Sequence, residues 1–168
     1  VIIPSDYMIG RMVKEDMLEP LNKENIPNLK YIDPSLLGMP YDPDTAYSIP
    51  YTWGTVVLIY NTTLVSPDTD VETWDLLWNE DYKGNILMFN NPRDAYGIAL
   101  KKLGFPLNPE NQEQIDKATA LLKEQKPLVQ AYVMDEIFDK MAAGEAAVAP
   151  YYAGDALTMI DDHPDLAA

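Results

Sequence analysis

An amide and a carboxylate stand three residues apart where the segment Gly84–Leu103 passes from a strand into a helix. The apolar run Ile86–Phe89 predicts a buried strand, and Asn91 and Asp94 follow it with almost no intervening loop. In α/β proteins such strand-to-helix turns line the ligand crevice, because the carboxyl ends of the strands lie there. Amide and carboxylate oxygens accept hydrogen bonds from cations, so this pair predicts a cationic ligand.

Further turns of the same kind carry acidic, aromatic or hydroxyl side chains rather than a glycine-rich phosphate loop. They supply the other candidate ligand residues, which are Tyr152, Asp155, Asp135, Ser5 and Tyr7. A purely structural interpretation is open for each, because the polar residues are also typical helix caps and the rings are typical packing groups. Helix starts ordinarily favour anions, but the acids at these turns favour a cation instead.

The composition is that of an acidic globular protein with a real core. The 168 residues are 47% hydrophobic, and 12 Lys and Arg against 27 Asp and Glu leave a net charge of −15. That charge argues against nucleic acid or an anionic membrane as a partner. There is no cysteine, and the chain contains no nucleophile motif, phosphate loop or metal-binding motif. We therefore predict no enzymatic activity, no cofactor and no metal site.

Strands and helices are predicted to alternate along the chain. Strands are expected at residues 1–4, 55–60, 86–89, 128–133 and 146–150, with helices at about 7–17, 73–78, 92–103, 111–125, 135–143 and from 154 onward. This alternation requires crossover connections, and it predicts the α/β class with a parallel-rich sheet covered by helices on both faces. The chain opens within an apolar strand pattern and without an initiator methionine, so we expect a fragment of a longer protein.

Four strings of sequence resemble a known family. They are VIIPSDYMIGRMVKEDMLEPL, YSIPYTWGTVVLIYN, TWDLLWNEDYKGNILMFNNPRDAYGIALKKLG and AGEAAVAPYYAGDAL, and their order matches the spermidine/putrescine-binding proteins of bacterial ABC importers. The resemblance implies a type II periplasmic-binding-protein-like fold, in which two α/β lobes hold a polyamine between them. It implies that residues 1–51 are part of the first lobe and the crossover, and that residues 52–168 are most of the second lobe.

The resemblance also implies roles for particular residues. Asn91 and Asp94 match two acids of the family, so this chain has one negative charge fewer at that turn. Tyr152 matches a Trp ligand and keeps an aromatic face there. Ser5 and Tyr7 match a hydroxyl and an aromatic residue that reach the ligand from the first lobe. The implied partners are spermidine or putrescine and a membrane permease. The implied location is extracytoplasmic, either periplasmic or lipid-anchored at the cell surface.

Three other interpretations stay open from the sequence. The adjacent Tyr151 and Tyr152 resemble the tyrosine pair with which related binding proteins hold ferric iron. Paired carboxylates also occur in glycosidases, although nothing here specifies their spacing. A fragment that covers only the middle of a family member is also compatible with a structural piece that binds nothing. The preferred polyamine, the oligomeric state and the Gram-positive or Gram-negative source are left undetermined.

Overall fold

A computed structural model describes residues 1–168, which form two compact units, Val1–Trp53 and Gly54–Ala168. The first unit contains one α-helix, α1 (Asp6–Lys14), followed by short 3-10 helices at Lys23–Asn25, Pro27–Tyr31 and Pro34–Leu36. Its later loop is organised around the buried carboxylate of Asp42, which accepts hydrogen bonds from three backbone N–H groups and one hydroxyl. No helix of the chain combines the length and the apolar character needed to cross a membrane.

The second unit is built on one five-stranded mixed sheet. Its strands are β1 (Val56–Asn61), β2 (Ile86–Phe89), β3 (Val129–Val133), β4 (Val148–Tyr152) and β5 (Leu166–Ala167), in the spatial order β3-β2-β4-β1-β5. β2 pairs in parallel with β3 and β4, whereas β1 pairs antiparallel with β4 and β5. The α/β class is confirmed, and the four strands predicted for this unit lie in one sheet. The sheet is mixed because β1 runs opposite to its neighbour β4.

Helices connect these strands close to the positions predicted from the hydrophobic pattern. They are α2 (Pro92–Lys102), α3 (Gln112–Gln125), α4 (Glu136–Ala142) and α5 (Ala153–Asp162), with 3-10 helices at Trp74–Trp78 and Glu80–Tyr82. Gly144 ends the turn after α4 with φ of +67°, a conformation that glycine adopts without strain. Residues 145–147 then lead into β4, so this turn helps to set where β4 begins.

The apolar core belongs to the second unit. All four side chains of β2 are buried, as expected for a short apolar strand with a neighbour on each side. Every buried residue of the main apolar cluster lies between Ile59 and Leu166. In the first unit only Asp42 and Thr45 are buried. The chain before Ser48 is therefore less well packed than the second unit.

Two strand predictions were wrong in detail. Residues 1–4 form no strand, and Val1, Ile2 and Ile3 are exposed. An apolar run becomes a strand only where a neighbouring strand satisfies its backbone groups, and these residues have none. β4 runs from 148 to 152 rather than from 146 to 150, because its pairing with β1 continues to Tyr152. Tyr151 and Tyr152 are consequently strand residues rather than loop residues.

Candidate functional site

The carboxyl ends of three neighbouring strands meet at one edge of the sheet. β2 lies between β3 and β4 and runs parallel to both, so Phe89, Val133 and Tyr152 end their strands on the same side. The first turns of α2 and α5 and the start of α4 follow these ends. The structure thus brings Asn91, Asp94, Asp135, Tyr152 and Asp155 to a single edge of the sheet. We call this edge, defined by these five residues with Phe89 and Tyr151, the carboxyl edge.

Asn91 starts the helix that carries Asp94. Its side-chain oxygen accepts a hydrogen bond of 3.0 Å from the backbone N–H of Arg93, and Pro92 occupies the first helical position. This is the preferred chemistry of a helix start, and the predicted capping role of Asn91 is confirmed. A ligand contact at this position would share an amide group that already orders the turn.

Asp94 is held by a tyrosine that lies 58 residues later in the chain. The hydroxyl of Tyr152 donates a 2.9 Å hydrogen bond to Oδ2 of Asp94 and so ties β4 to the first turn of α2. Both residues are half-buried. The Tyr152 ring lies 5.4 Å from that of Phe89 and is tilted by 39° against it. A carboxylate and aromatic faces therefore lie side by side, which suits an organic cation.

Tyr151 lies beside this pair, with its ring 5.1 Å from that of Tyr152. It is only 3% exposed, stacks on Phe89 at 5.9 Å and meets Phe138 edge-on at 5.4 Å. Its hydroxyl donates a 2.9 Å hydrogen bond to Oδ1 of Asp135. Burial first, and then this bond to a carboxylate, raises the pKa of Tyr151 above its ordinary value. The phenol therefore stays protonated and acts as a donor at neutral pH.

Neither Asp135 nor Asp155 caps a helix. Asp135 occupies the N-cap position of α4 with helical backbone angles and no side-chain capping bond, because its carboxylate accepts from Tyr151 instead. The N-cap position of α5 is Tyr152, and Asp155 is an exposed residue of the first turn. Its charge is close enough to contribute to the raised pKa of Tyr151, after the effects of burial and of Asp135. The capping interpretation of both acids was wrong, and their contact with a ligand stays a prediction.

Ser5 and Tyr7 belong to the first unit, at the start of α1. Ser5 stands at the N-cap position in an extended conformation, but its hydroxyl makes no capping bond, and only its carbonyl accepts from Met8 and Ile9. The Tyr7 side chain is 39% exposed. These positions neither support nor oppose a ligand role, so the predicted role rests on the family resemblance alone.

Phe89 and Phe138 were missed as candidates by reasoning from residue types alone. Phe89 is the last residue of the buried strand β2, and its ring lies near both tyrosines. The signal was the position of an aromatic residue at the end of an apolar run that leads into the acidic turn. Strand order was needed to use that signal, because only the pairing of β2 with β4 brings these rings together.

The edge does not favour the ferric-iron interpretation. Tyrosine binds ferric iron as a phenolate, yet the hydroxyls of Tyr151 and Tyr152 each donate to a carboxylate, and the raised pKa of Tyr151 opposes its deprotonation. The two hydroxyls also point to different acids, Asp135 and Asp94. No group of three or more His, Cys, Asp or Glu side chains is placed to hold a metal ion.

Comparison with known proteins identifies similar chains. The model of the family described as bacterial extracellular solute-binding protein matches residues 1–168. The spermidine/putrescine-binding periplasmic protein of Escherichia coli is 33% identical over 156 residues, which are 93% of this chain and 44% of that protein. The putrescine/agmatine-binding protein of Pseudomonas aeruginosa is 28% identical over 167 residues, covering 93% of this chain and 45% of that protein.

Solved structures give a similar result. The spermidine/putrescine ABC transporter substrate-binding protein PotD of Streptococcus pneumoniae superposes with a TM-score of 0.78 at 36% identity, covering 98% of this chain and 50% of that one. The lipoprotein TpPotD of Treponema pallidum gives a TM-score of 0.85 at 26% identity, covering 98% of this chain and 52% of that one. The chain spans less than half the length of the curated relatives it matches.

Proposed function

The chain belongs to the bacterial extracellular solute-binding proteins, and on that premise we propose that it forms part of the polyamine-binding component of an ABC importer. In this proposal the carboxyl edge binds spermidine or putrescine, and the full-length protein delivers the ligand, chemically unchanged, to a membrane permease. The relatives named for spermidine and putrescine support the choice of ligand. The family description and the periplasmic relatives support an extracytoplasmic location.

The Tyr152–Asp94 pair beside Phe89 is the observation that carries this proposal. A polyamine combines ammonium groups, which need charged or carbonyl acceptors, with methylene segments, which pack against flat apolar surfaces. The carboxyl edge offers both a carboxylate acceptor and an aromatic face, because Asp94 is hydrogen-bonded to Tyr152. We assign Asp94 to an ammonium group and the Tyr152 ring to the adjacent methylenes.

Anions are the natural competitors for such a site, because α2 and α5 both direct their first turns to it. The side chains at these starts are acidic, with Asp94 in the first turn of α2 and Asp155 in the first turn of α5. Asp135 adds a third carboxylate at the same edge, and the whole chain carries a net charge of −15. This electrostatic environment opposes an oxyanion and raises the local concentration of a polycation.

The length of the relatives bears on what the 168 residues bind alone. We propose that residues 1–51 are part of a first lobe and residues 52–168 are most of a second. Since the chain covers less than half of each curated relative, it supplies only part of a closed site. Weak or undetectable polyamine binding is therefore expected from these residues alone. Submicromolar spermidine binding by them in calorimetry would show that the site lies elsewhere or is complete here.

Calorimetry with the full-length protein tests the assignment of Asp94. Asp94→Asn keeps an acceptor for Tyr152 but removes the charge, so putrescine binding should weaken by roughly 1.5–3 kcal/mol, the range for a hydrogen bond to a charged group. Asp81→Asn is the matched control, because it removes an equal charge from the exposed segment that precedes β2, at the opposite edge of the sheet. Unchanged putrescine affinity in Asp94→Asn would remove Asp94 from the site.

A further inference from the structure

One oxygen of the Asp94 carboxylate is already hydrogen-bonded within the protein. Its Oδ2 already accepts the 2.9 Å hydrogen bond from the hydroxyl of Tyr152, and Oδ1 is the oxygen left to face a bound cation. Asp94 is fixed in the first turn of α2, which Asn91 caps. The Tyr152 ring is fixed on β4 and lies between 5 and 6 Å from the rings of Phe89 and Tyr151. The fold therefore holds Asp94 with Oδ1 free of protein donors and Oδ2 shared with Tyr152.

Ammonium and guanidinium groups respond differently to such a carboxylate. An ammonium group is a compact charge whose three donors can be used one at a time, so a single carboxylate oxygen is enough. A guanidinium group binds best through two parallel N–H donors to both oxygens of one carboxylate, and a donor already bound to one of those oxygens competes with its second N–H. The Tyr152 hydroxyl occupies the second oxygen of Asp94.

We propose that Tyr152 is a specificity-determining residue, which selects an alkylammonium end over a guanidinium end at Asp94 by occupying Oδ2 of that carboxylate. The proposal rests on the proposed polyamine function and adds the chemistry by which the site chooses among cationic ligands. A distinction of this kind is relevant among the relatives, since one of them is named for agmatine, which carries a guanidinium group, as well as for putrescine. A phenylalanine at position 152 would keep the aromatic face and free the oxygen.

Two ligands with the same four-carbon chain isolate this effect. Putrescine ends in two ammonium groups, whereas 1,4-diguanidinobutane ends in two guanidinium groups, so either end of the latter presents a guanidinium to Asp94. Dissociation constants of both ligands are measured by calorimetry on the full-length wild-type protein, on Tyr152→Phe and on Tyr96→Phe. Tyr96 is the matched control because it is also a half-buried tyrosine with a bonded hydroxyl, which pairs with Thr119 rather than with an acid.

The expected result is a change in the ratio of the two dissociation constants. The wild-type protein should bind putrescine more tightly than 1,4-diguanidinobutane, and Tyr152→Phe should narrow that preference by about tenfold, mainly through tighter binding of the guanidine ligand. Tyr96→Phe should leave the ratio at its wild-type value. In an Asp94→Ala background, Tyr152→Phe should no longer alter the ratio, because the hydroxyl acts through Asp94.

The outcomes separate this inference from the function it rests on. If the wild-type protein binds neither ligand, the proposed function fails and the selectivity inference fails with it. If the wild-type protein binds putrescine but the ratio stays the same in Tyr152→Phe, only the selectivity inference is overturned. Equal wild-type affinity for the two ligands would overturn it as well. A ratio that changes equally with and without Asp94 would assign the hydroxyl a direct contact with the ligand instead.

Discussion

Replacement of Tyr151 by phenylalanine should lower the free energy of unfolding of the second unit by about 1.5 kcal/mol at pH 7. The change removes only the hydroxyl, which donates a 2.9 Å hydrogen bond to Asp135, and it keeps the ring. The ring contacts with Phe89 and Phe138 should therefore survive. The perturbation thus isolates the bond that joins β4 to the start of α4.

The size of the effect follows from the surroundings of the two partners. A hydrogen bond to a charged group is worth about 1.5–3 kcal/mol. Tyr151 is 3% exposed, so its hydroxyl is shielded from water in the folded protein. Asp135 is exposed, so in Tyr151→Phe its carboxylate can bind water instead. The lower end of the range is therefore expected. Tyr151→Ala, which also removes the ring and leaves a cavity, should cost about 3–5 kcal/mol.

The pH dependence gives an independent check on the same bond. Burial, and then the bond to Asp135, raises the pKa of Tyr151 above its ordinary value. The folded protein consequently keeps this proton at pH values where the unfolded chain releases it. The contribution to stability is fully present below the unfolded pKa of about 10, and it is lost at up to about 1.4 kcal/mol per pH unit as pH rises towards the folded pKa. The difference between wild type and Tyr151→Phe should therefore shrink between pH 10 and pH 11.

Urea unfolding followed by tryptophan fluorescence measures this difference. Trp53→Phe removes the one tryptophan of the first unit, so that the signal comes from Trp74 and Trp78 in the second. Tyr132→Phe serves as the control at pH 7, because Tyr132 is 44% exposed and its hydroxyl makes no hydrogen bond within the protein. Equal stability of Tyr151→Phe and its parent at pH 7 would refute the reasoning. So would a stability difference that remains constant up to pH 11.

Two further predictions concern buried polar groups away from the carboxyl edge. Burial alone would raise the pKa of Asp42, but four hydrogen bonds to its carboxylate outweigh that effect and hold the pKa below the ordinary value. Its stabilisation is thus present above about pH 4 and lost as pH falls through the folded pKa. Asp42→Asn should lower the stability of the first unit by about 1.5–3 kcal/mol at pH 7. This loss should appear as faster hydrogen exchange of the backbone amides of Ala46 to Ser48, and unchanged exchange would contradict the prediction. Asn61 is 1% exposed; its side chain accepts hydrogen bonds from the backbone N–H and the hydroxyl of Thr63 and donates one to Asp165. Asn61→Ala should therefore lower the free energy of unfolding by about 1–3 kcal/mol, as measured by urea unfolding. An unchanged urea midpoint would argue against this.

Local features of the candidate site were predicted well because neighbouring residues determine them. Asn91 and Pro92 specify a helix start within one turn of chain, and α2 begins there as expected. The run Ile86–Phe89 is apolar at every position, which identifies a strand buried on both faces. Placing the acids at one edge required only that consecutive crossover units keep their strands parallel.

Features that depend on distant partners were predicted poorly. Asp135 has the sequence signature of a helix cap, yet Tyr151, 16 residues later, takes its carboxylate. The apolar residues 1–4 resemble a strand, but no neighbouring strand pairs with them. In both cases the local preference is worth only about 1 kcal/mol, which a tertiary contact or the absence of a partner strand readily outweighs.

The sequence by itself determined the α/β class, the acidic charge and the residue types at each strand end, because these follow from composition and short-range pattern. Only the tertiary structure decided which of those residues meet. Asp94 and Tyr152 are 58 positions apart, and their hydrogen bond exists because β2 and β4 became parallel neighbours in the sheet. No periodicity along the chain specifies which strand pairs with which. That choice is made by the packing of the whole core, and with it the choice of which oxygen of Asp94 remains for a ligand.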